Sequence, residues 1–508
     1  MKTASIIPDL LETGAADAVA ITSPGGVPLT FKALRAHVTA VGEALAAHGV
    51  GPGDRVGIVL ENGPEMATAF VSVASAATAA PLNHSYRAEE FEFYLTDLRA
   101  KLLIVGKDKA SPSVDAAAKL GIPVARLVPQ PERGAGMFAL EFPAGMEPVE
   151  GERRAVSPDD FALVLHTSGT TSRPKIVPLA QKNICTSVTS IRTTLQLSER
   201  DRGLVIMPLF HIHGLMTGLL APLSAGGQVC CPPGFNALKF FAWMQEAKPT
   251  WYTGVPTMHQ AILLRAANNT EIIKANPLRF VRSSSSALPL RVIDELAKVF
   301  GAPVIESYGM TEASHQMTSN PLPPKAQKPG TVGIAAGPEV QIVNESGDSV
   351  PRGTPGEIVI RGANVMAGYE NNPSANADAF IKGWFRTGDQ GIMDEDGYVS
   401  IVGRLKEIIN RGGEKISPRE VDEILMEHPA VRQCVTFAVP HDMLGEDVAA
   451  AVVLREGMQA EDKELRKFAA TRLADFKVPK KILILTEIPV GATGKLQRIG
   501  LAKKLGLA

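Results

Sequence analysis

The stretch HTSGTTSRPKIV, His166 to Val177, crowds small hydroxyl side chains around Gly169 and follows them with Arg173 and Lys175 on either side of Pro174. It continues an apolar run, FALVL, that has the length of a buried strand. Glycine and short hydroxyl residues let backbone N–H groups come close to an anion, and each Ser or Thr adds a donor. The stretch is therefore a candidate phosphate cradle at the end of a strand. It is not the G-x-x-x-x-G-K-[ST] pattern of P-loop nucleotide-binding proteins, and taken alone it also reads as a plain turn.

Working outward, short apolar runs alternate with helical patterns: RVGIVL, KLLIVG, FALVLH, then RVIDELAKVF leading into GAPVIES. In RVIDELAKVF the apolar residues Val292, Ile293, Leu296, Val299 and Phe300 share one helical face, Gly301 ends the helix, and a strand follows. Repeated strand–helix units predict an α/β fold with mostly parallel, layered sheets. From about residue 330 Gly, Pro and Asn become frequent between short alternating strands, which predicts a β-rich subdomain over about 330–403. The polar, glycine-bearing segment from Gly403 to Glu414 is the best boundary. Beyond it, Ser417-Pro418-Arg419-Glu420 reads as a capping box opening the helix PREVDEILMEH. The strands VRQCVTFAV, DVAAAVVL and KILILTEIP and the helix KELRKFAATRLA then complete a small α+β domain. The expectation is a large domain over 1–403 and a small C-terminal domain over 404–508.

The 508 residues suit roughly two to four domains. A net charge of −1 gives no reason to expect nucleic acid or an anionic membrane as partner. Cys185, Cys230, Cys231 and Cys434 follow neither a disulfide nor a zinc spacing, which fits a reducing compartment. The run MATAFVSVASAATAAPL, Met66 to Leu82, is too short and too broken by Ser and Thr to span a bilayer, and predicts a helix packed closely on a sheet. MKTASIIPDLLETG lacks the apolar core of a signal peptide. Cytoplasmic location is the expectation, and oligomeric state is left open.

The order TSGTTSRPK, PLFHIHGL, SYGMTE, WFRTGD, GRLKEIINRGGEKISP, TGKLQR resembles the adenylate-forming superfamily of acyl-CoA synthetases, adenylation domains and luciferases, over nearly the whole chain. The resemblance implies that an acid carboxylate attacks the α-phosphorus of ATP, releasing pyrophosphate, and that the thiol of coenzyme A then displaces AMP. Both halves move negative charge among phosphate oxygens, so cations, Mg²⁺ and preorganised donors are what such chemistry needs.

The family roles transfer as follows. Thr167, Ser168, Gly169, Thr170, Thr171 and Lys175 would embrace the β- and γ-phosphates. Tyr308 would lie on adenine, Thr311 would touch the α-phosphate, and Glu312, with Thr170, would hold Mg²⁺. Ser286, Ala287, Glu306, Ser307 and Gly309 belong to the same nucleotide surroundings. Asp389 would accept from both ribose hydroxyls, with Arg404 reaching ribose or phosphate. Lys406 resembles the hinge on which the small, mobile domain turns. Lys495 would bridge the attacking carboxylate and the α-phosphate, and Gly412 and Gly413 would line the path of coenzyme A or form an ordinary turn.

LHTSGTTSRPK, APLNHSYRAEEFEFYL, WYTGVPTMHQ, SNPLPP and NRGGEKISP resemble most the branch of the superfamily that joins oxalate to coenzyme A. On that resemblance His213, Ser285 and His315 would bind the acid and His211 would gate it. A short polar acid needs donors for its second charged group, whereas a fatty or aromatic acid needs an apolar pocket. Formate, glycolate, malonate, acetate and coumarate are the competing acids. A carrier-protein arm competes with free coenzyme A as acceptor. Two departures stand out: Ser172 and Ile176 occupy positions where most of the superfamily has Gly. A β-branched Ile does not readily adopt positive φ, so either the backbone there is ordinary or the loop moves differently, as in a nucleotide-binding homologue with impaired turnover.

Overall fold

The computed structural model describes residues 4–108, 111–148, 154–167, 174–489 and 498–508. The chain forms two compact units, one built from the segments before residue 340 together with Arg361–Ala379, the other from Val340–Ile360 and Phe380–Ala508. The fold is mixed α/β, with a large N-terminal part and a small C-terminal α+β part.

In the first unit the described strands form two sheets. One runs Phe138–Glu141, Val124–Pro129, Leu102–Gly106, Arg55–Val59, Thr78–Pro81, Phe161–Thr167, Lys175–Ala180. Its interior pairs are parallel and each edge is closed by an antiparallel strand. The other runs Ile334–Ala335, His315–Ser319, Val304–Met310, Phe280–Ser283, Trp251–Gly254, Arg202–Leu204, Gln228–Cys230, Val19–Thr22, Leu29–Thr30. Parallel pairing holds from Val304–Met310 through to Val19–Thr22. The strand–helix alternation read from the sequence is this parallel topology.

The helix Leu290–Phe300 shows how pattern becomes packing. Val292, Ile293, Leu296 and Phe300 are buried, Val299 is partly so, and Gly301 closes the helix at φ +62°. Its face covers a core that includes Tyr252, Val281 and Val304 from three neighbouring strands. The small-residue run is the helix Pro64–Ala74, buried from Met66 onward, and it leads into the strand Thr78–Pro81. Among the described residues no helix is long and apolar enough to cross a membrane. All four cysteines are free and buried.

In the second unit, Glu339–Val343, Gly356–Arg361, Trp384–Met393, Phe380–Ile381 and Val399–Arg404 form one sheet. Glu414–Ile416, Ile409–Arg411, Gly445–Leu454, Val431–His441 and Lys481–Leu485 form another. Ser417 caps the helix Pro418–Met426 by accepting from Glu420 N. The reciprocal half of the expected capping box does not form, because the Glu420 carboxylate is taken by Lys477 at 2.6 and 2.7 Å. The Ser417 hydroxyl instead donates to Val402 O, and Arg419 donates to Ile401 O at 2.8 Å. The helix start is thereby tied to the strand Val399–Arg404. Arg498 pairs with both Asp422 on this helix and Glu407.

Two imidazoles in the first unit make its stability depend on pH. His37 lies edge-on to Phe138, and His259 is wholly buried with Nδ1 3.2 Å from the Tyr252 hydroxyl. Burial lowers the pKa of each to about 4. The unfolded chain therefore binds more protons than the folded one between about pH 6.5 and 4. Stability is full above that window and falls as pH drops through it. Urea unfolding at stepped pH should show this loss, and His259→Gln should flatten part of the slope.

Candidate active site

Phe161–Thr167 and Lys175–Ala180 pair as an antiparallel hairpin, with Thr167 opposite Lys175 and His166 opposite Ile176. The residues of its tip that were expected to bind phosphate, Ser168, Gly169, Thr170 and Thr171, lie outside the described residues, as do Ser172 and Lys495. At the base of the hairpin the geometry is specific. The Lys175 ammonium sits 4.5 Å from the centre of the Tyr369 ring, and the Tyr369 hydroxyl donates to Glu312 Oε1 at 2.8 Å. A cation, a phenol and a buried carboxylate thus form one chain. Tyr369 was missed by the sequence reading, although NVMAGYENNP, residues 364–373, offered an aromatic beside a glycine.

Ile176 is a strand residue with ordinary φ. Its side chain is buried among Val59, Phe91, Leu95 and Val164. Of the two readings of that position, the structure takes the ordinary backbone.

Tyr308, Gly309 and Met310 end the strand Val304–Met310; Thr311–Ala313 make a single tight turn, and His315–Ser319 returns antiparallel. A Cβ on Gly309 would lie 1.9 Å from His315 O, so no larger residue fits that crossing. Ser314 and His315 both have positive φ, +49° and +91°. Such conformations cost about 1 kcal/mol or more each and persist only where surroundings over-determine them. Here they do. Ser187 donates to Ser314 O, and Ser314 donates to Asn364 O at 2.9 Å. Asn364 donates to Ala313 O at 2.9 Å, and Met366 N donates to Glu312 O at 2.8 Å.

On the same strand Glu306 is buried and accepts from Gly330 N at 2.9 Å. Ser307 donates to Ser283 O at 3.2 Å while Ser284 donates to Ser307 O at 3.1 Å, so the two strand ends are laced together. Ser285, Ser286 and Ala287 follow as an exposed loop, Ser285 at φ +71°.

The strained turn delivers His315 to a buried polar cluster. His213 and His315 stack at 4.7 Å with 17° between ring planes. His213 Nδ1 lies 3.1 Å from Ser285 Oγ, and its Nε2 lies 2.6 Å from Thr253 Oγ1. The Nε2 atoms of both rings face Arg282, wholly buried on Phe280–Ser283. Its Nη1 is 3.3 Å from His213 Nε2 and 3.4 Å from His315 Nε2, and its Nη2 donates to Gln316 Oε1 at 3.2 Å. No carboxylate pairs with Arg282 among the described residues, and its Nε has no acceptor there. Burial pulls its pKa down to about 9, which leaves it charged at neutral pH. His213 immediately precedes a π-helical turn, Gly214–Leu220, in which a Cβ on Gly214 would lie 2.2 Å from Pro208 O. His211 is half-buried at the mouth of that turn, its ring 4.7 Å from Phe210. Arg282 is the second residue that sequence reasoning missed. A charged residue inside the apolar run RFVRSS was the available signal.

In the second unit Asp389 is buried and pairs with Arg404 Nε at 3.0 Å, the two lying opposite each other in adjacent strands. Lys406 is exposed in the short turn Leu405–Glu407. Gly412 and Gly413, at φ +59° and +99°, make the two-residue hairpin between Ile409–Arg411 and Glu414–Ile416. Paired positive φ values in such a turn already demand glycine.

Among the described residues no group of three or more His, Cys, Asp or Glu is arranged to hold a metal. Glu312 is a single buried carboxylate, which suits an ion whose other ligands are substrate phosphates and water.

The AMP-binding enzyme family matches residues 12–370, and the AMP-binding enzyme C-terminal domain matches 420–495. The chain is 47% identical over 457 residues to oxalate–CoA ligase of Arabidopsis thaliana, covering 89% of this chain and 88% of that protein. It is 41% identical over 476 residues to oxalate–CoA ligase of Saccharomyces cerevisiae, covering 88% and 86%. The crystal structure of ATP-bound MatB from Rhodopseudomonas palustris superposes with a TM-score of 0.88 at 29% identity, over 99% of both chains. With both family models matched in order along it, the chain belongs to the AMP-binding, adenylate-forming enzyme family.

Proposed function

We propose that this protein is an oxalate–CoA ligase, which converts oxalate and ATP to oxalyl-adenylate and pyrophosphate and then passes the oxalyl group to coenzyme A with release of AMP. ATP-dependent joining of an acid to coenzyme A rests on the family; the choice of acid rests on one observation. The stacked His213 and His315 turn their Nε2 atoms to a buried arginine that has no carboxylate partner among the described residues. A buried charge without a counter-charge is costly, and an acid carrying a second carboxylate would supply one. A fatty or aromatic acid would bring apolar surface to that cluster instead.

In this reading Thr167, Ser168, Gly169, Thr170, Thr171 and Lys175 hold the phosphates, and Glu312 with Thr170 would hold Mg²⁺, which neutralises phosphate charge. Tyr308 and Gly309 face the adenine with Ser286, Ala287, Glu306 and Ser307 around it, and Thr311 contacts the α-phosphate. Asp389 and Arg404 hold the ribose, and His211 gates the acid. Residues 404–508 turn about Lys406 to deliver Lys495 for the first half-reaction and Gly412–Gly413 for the second.

Initial rates of pyrophosphate release across a panel of acids, with ATP and free coenzyme A, test the substrate. Oxalate should lead formate, glycolate, malonate and acetate; a medium-chain or aromatic acid ahead of oxalate by more than about tenfold would falsify the assignment. Lys495→Ala should greatly reduce adenylate formation while calorimetry shows ATP affinity little changed, because the nucleotide is held elsewhere. Ile176→Gly should lower stability by about 2–5 kcal/mol through the cavity left in a packed core, with no gain in turnover.

A further inference from the structure

The hydrogen bonds around Arg282 determine more than its charge. A guanidinium only donates, so any imidazole nitrogen bonded to it must accept. Nη1 carries two N–H groups, and it has two imidazole neighbours, His213 Nε2 and His315 Nε2. Both Nε2 atoms are therefore acceptors, and the proton of each neutral ring sits on Nδ1. Thr253 Oγ1, 2.6 Å from His213 Nε2, then donates to the same single lone pair, in a three-centre bond shared with the guanidinium. His213 Nδ1–H in turn donates to Ser285 Oγ at 3.1 Å, which leaves the Ser285 hydroxyl proton available to a ligand.

Gln316 Nε2 donates to Ala336 O at 2.8 Å and to Thr194 Oγ1 at 3.2 Å, so its Oε1 faces Arg282 Nη2 as acceptor.

We propose that Arg282 is a positioning and charge-selecting residue, which fixes both His213 and His315 as Nδ1–H tautomers so that the cluster offers a donor array with one net positive charge to the distal carboxylate of a small dicarboxylic acid. It rests on the reading of the acid given above. Its consequence is discrimination: a monocarboxylate such as acetate leaves the guanidinium uncompensated, whereas a compact dianion neutralises it through the donors that Arg282 itself orders.

The test compares the intact enzyme with Arg282→Met and Arg282→Lys. Imidazole nitrogen NMR shifts of histidine-labelled protein, assigned through His213→Gln and His315→Gln, read the tautomers directly. In the intact enzyme both buried rings should show protonated Nδ1 and bare Nε2, and Arg282→Met should abolish that pattern. Arg282→Met should also raise the oxalate KM by about a hundredfold or more, the scale expected for removing a buried charge partner. The ATP KM should change by less than about threefold, and the acetate KM should rise far less than the oxalate KM. Arg282→Lys, which keeps the charge, should recover part of the oxalate KM. Equal losses toward oxalate, acetate and ATP, together with a lowered Tm, would show a structural arginine and overturn the proposal; so would unchanged tautomers in Arg282→Met. If the intact enzyme uses no small dicarboxylate, the functional reading fails first, and with it the charge-selecting half of the proposal, while the tautomer assignment is decided by the NMR alone.

Discussion

A guanidinium withdrawn completely from water is the constraint around which the site is organised. Its desolvation is costly, so every neighbouring element has to present acceptors and exclude further positive charge. Phe280–Ser283 carries it in the interior of a parallel sheet, with Thr253 and Ile305 beside it in register. His213 comes from a π-helical turn that only glycine allows at its first position, and His315 from a left-handed turn held by Ser187 and Asn364. The strain stored in that turn is the local cost of bringing an imidazole back onto the sheet.

The same strand and turn also carry the residues expected to meet the nucleotide. Between Tyr308 and His315 the chain passes from residues expected at adenine, through Glu312, to the buried histidine–arginine cluster. Glu312 and His315 are three residues apart, yet they answer to different partners, Tyr369 and Arg282. One short turn therefore sets the spacing between the Glu312 carboxylate and the His315 imidazole. Backbone hydrogen bonds from Asn364 and Met366 hold that spacing.

Much of this was legible in the sequence, and the parts that were not share a cause. The helix Leu290–Phe300, its glycine stop and the following strand are local events, written in periodicity and capping chemistry. His213, Ser285 and His315 were expected together through the family resemblance, and the structure brings them together. Arg282 and Tyr369 were overlooked because their partners lie far along the chain: His213 is 69 residues from Arg282, and Glu312 is 57 from Tyr369. Such pairs leave no periodic trace. The capping box failed for a related reason. Glu420 finds a better partner in Lys477, 57 residues away, than in the helix start beside it.

The cysteines bear on how the protein handles a thiol cosubstrate. Cys185, Cys230, Cys231 and Cys434 are all buried, and burial pushes each thiol above its ordinary pKa, Cys185 to about 12 and Cys230 to about 11. Cys434 also lies 3.6 Å from the Asp422 carboxylate, which further opposes a thiolate. Exchange between a thiol and a disulfide requires an accessible thiolate on one side. Coenzyme A and its oxidised dimer therefore meet no sulfur on the folded protein with which to form a mixed disulfide, and the nucleophilic sulfur of the second half-reaction is the cosubstrate's own.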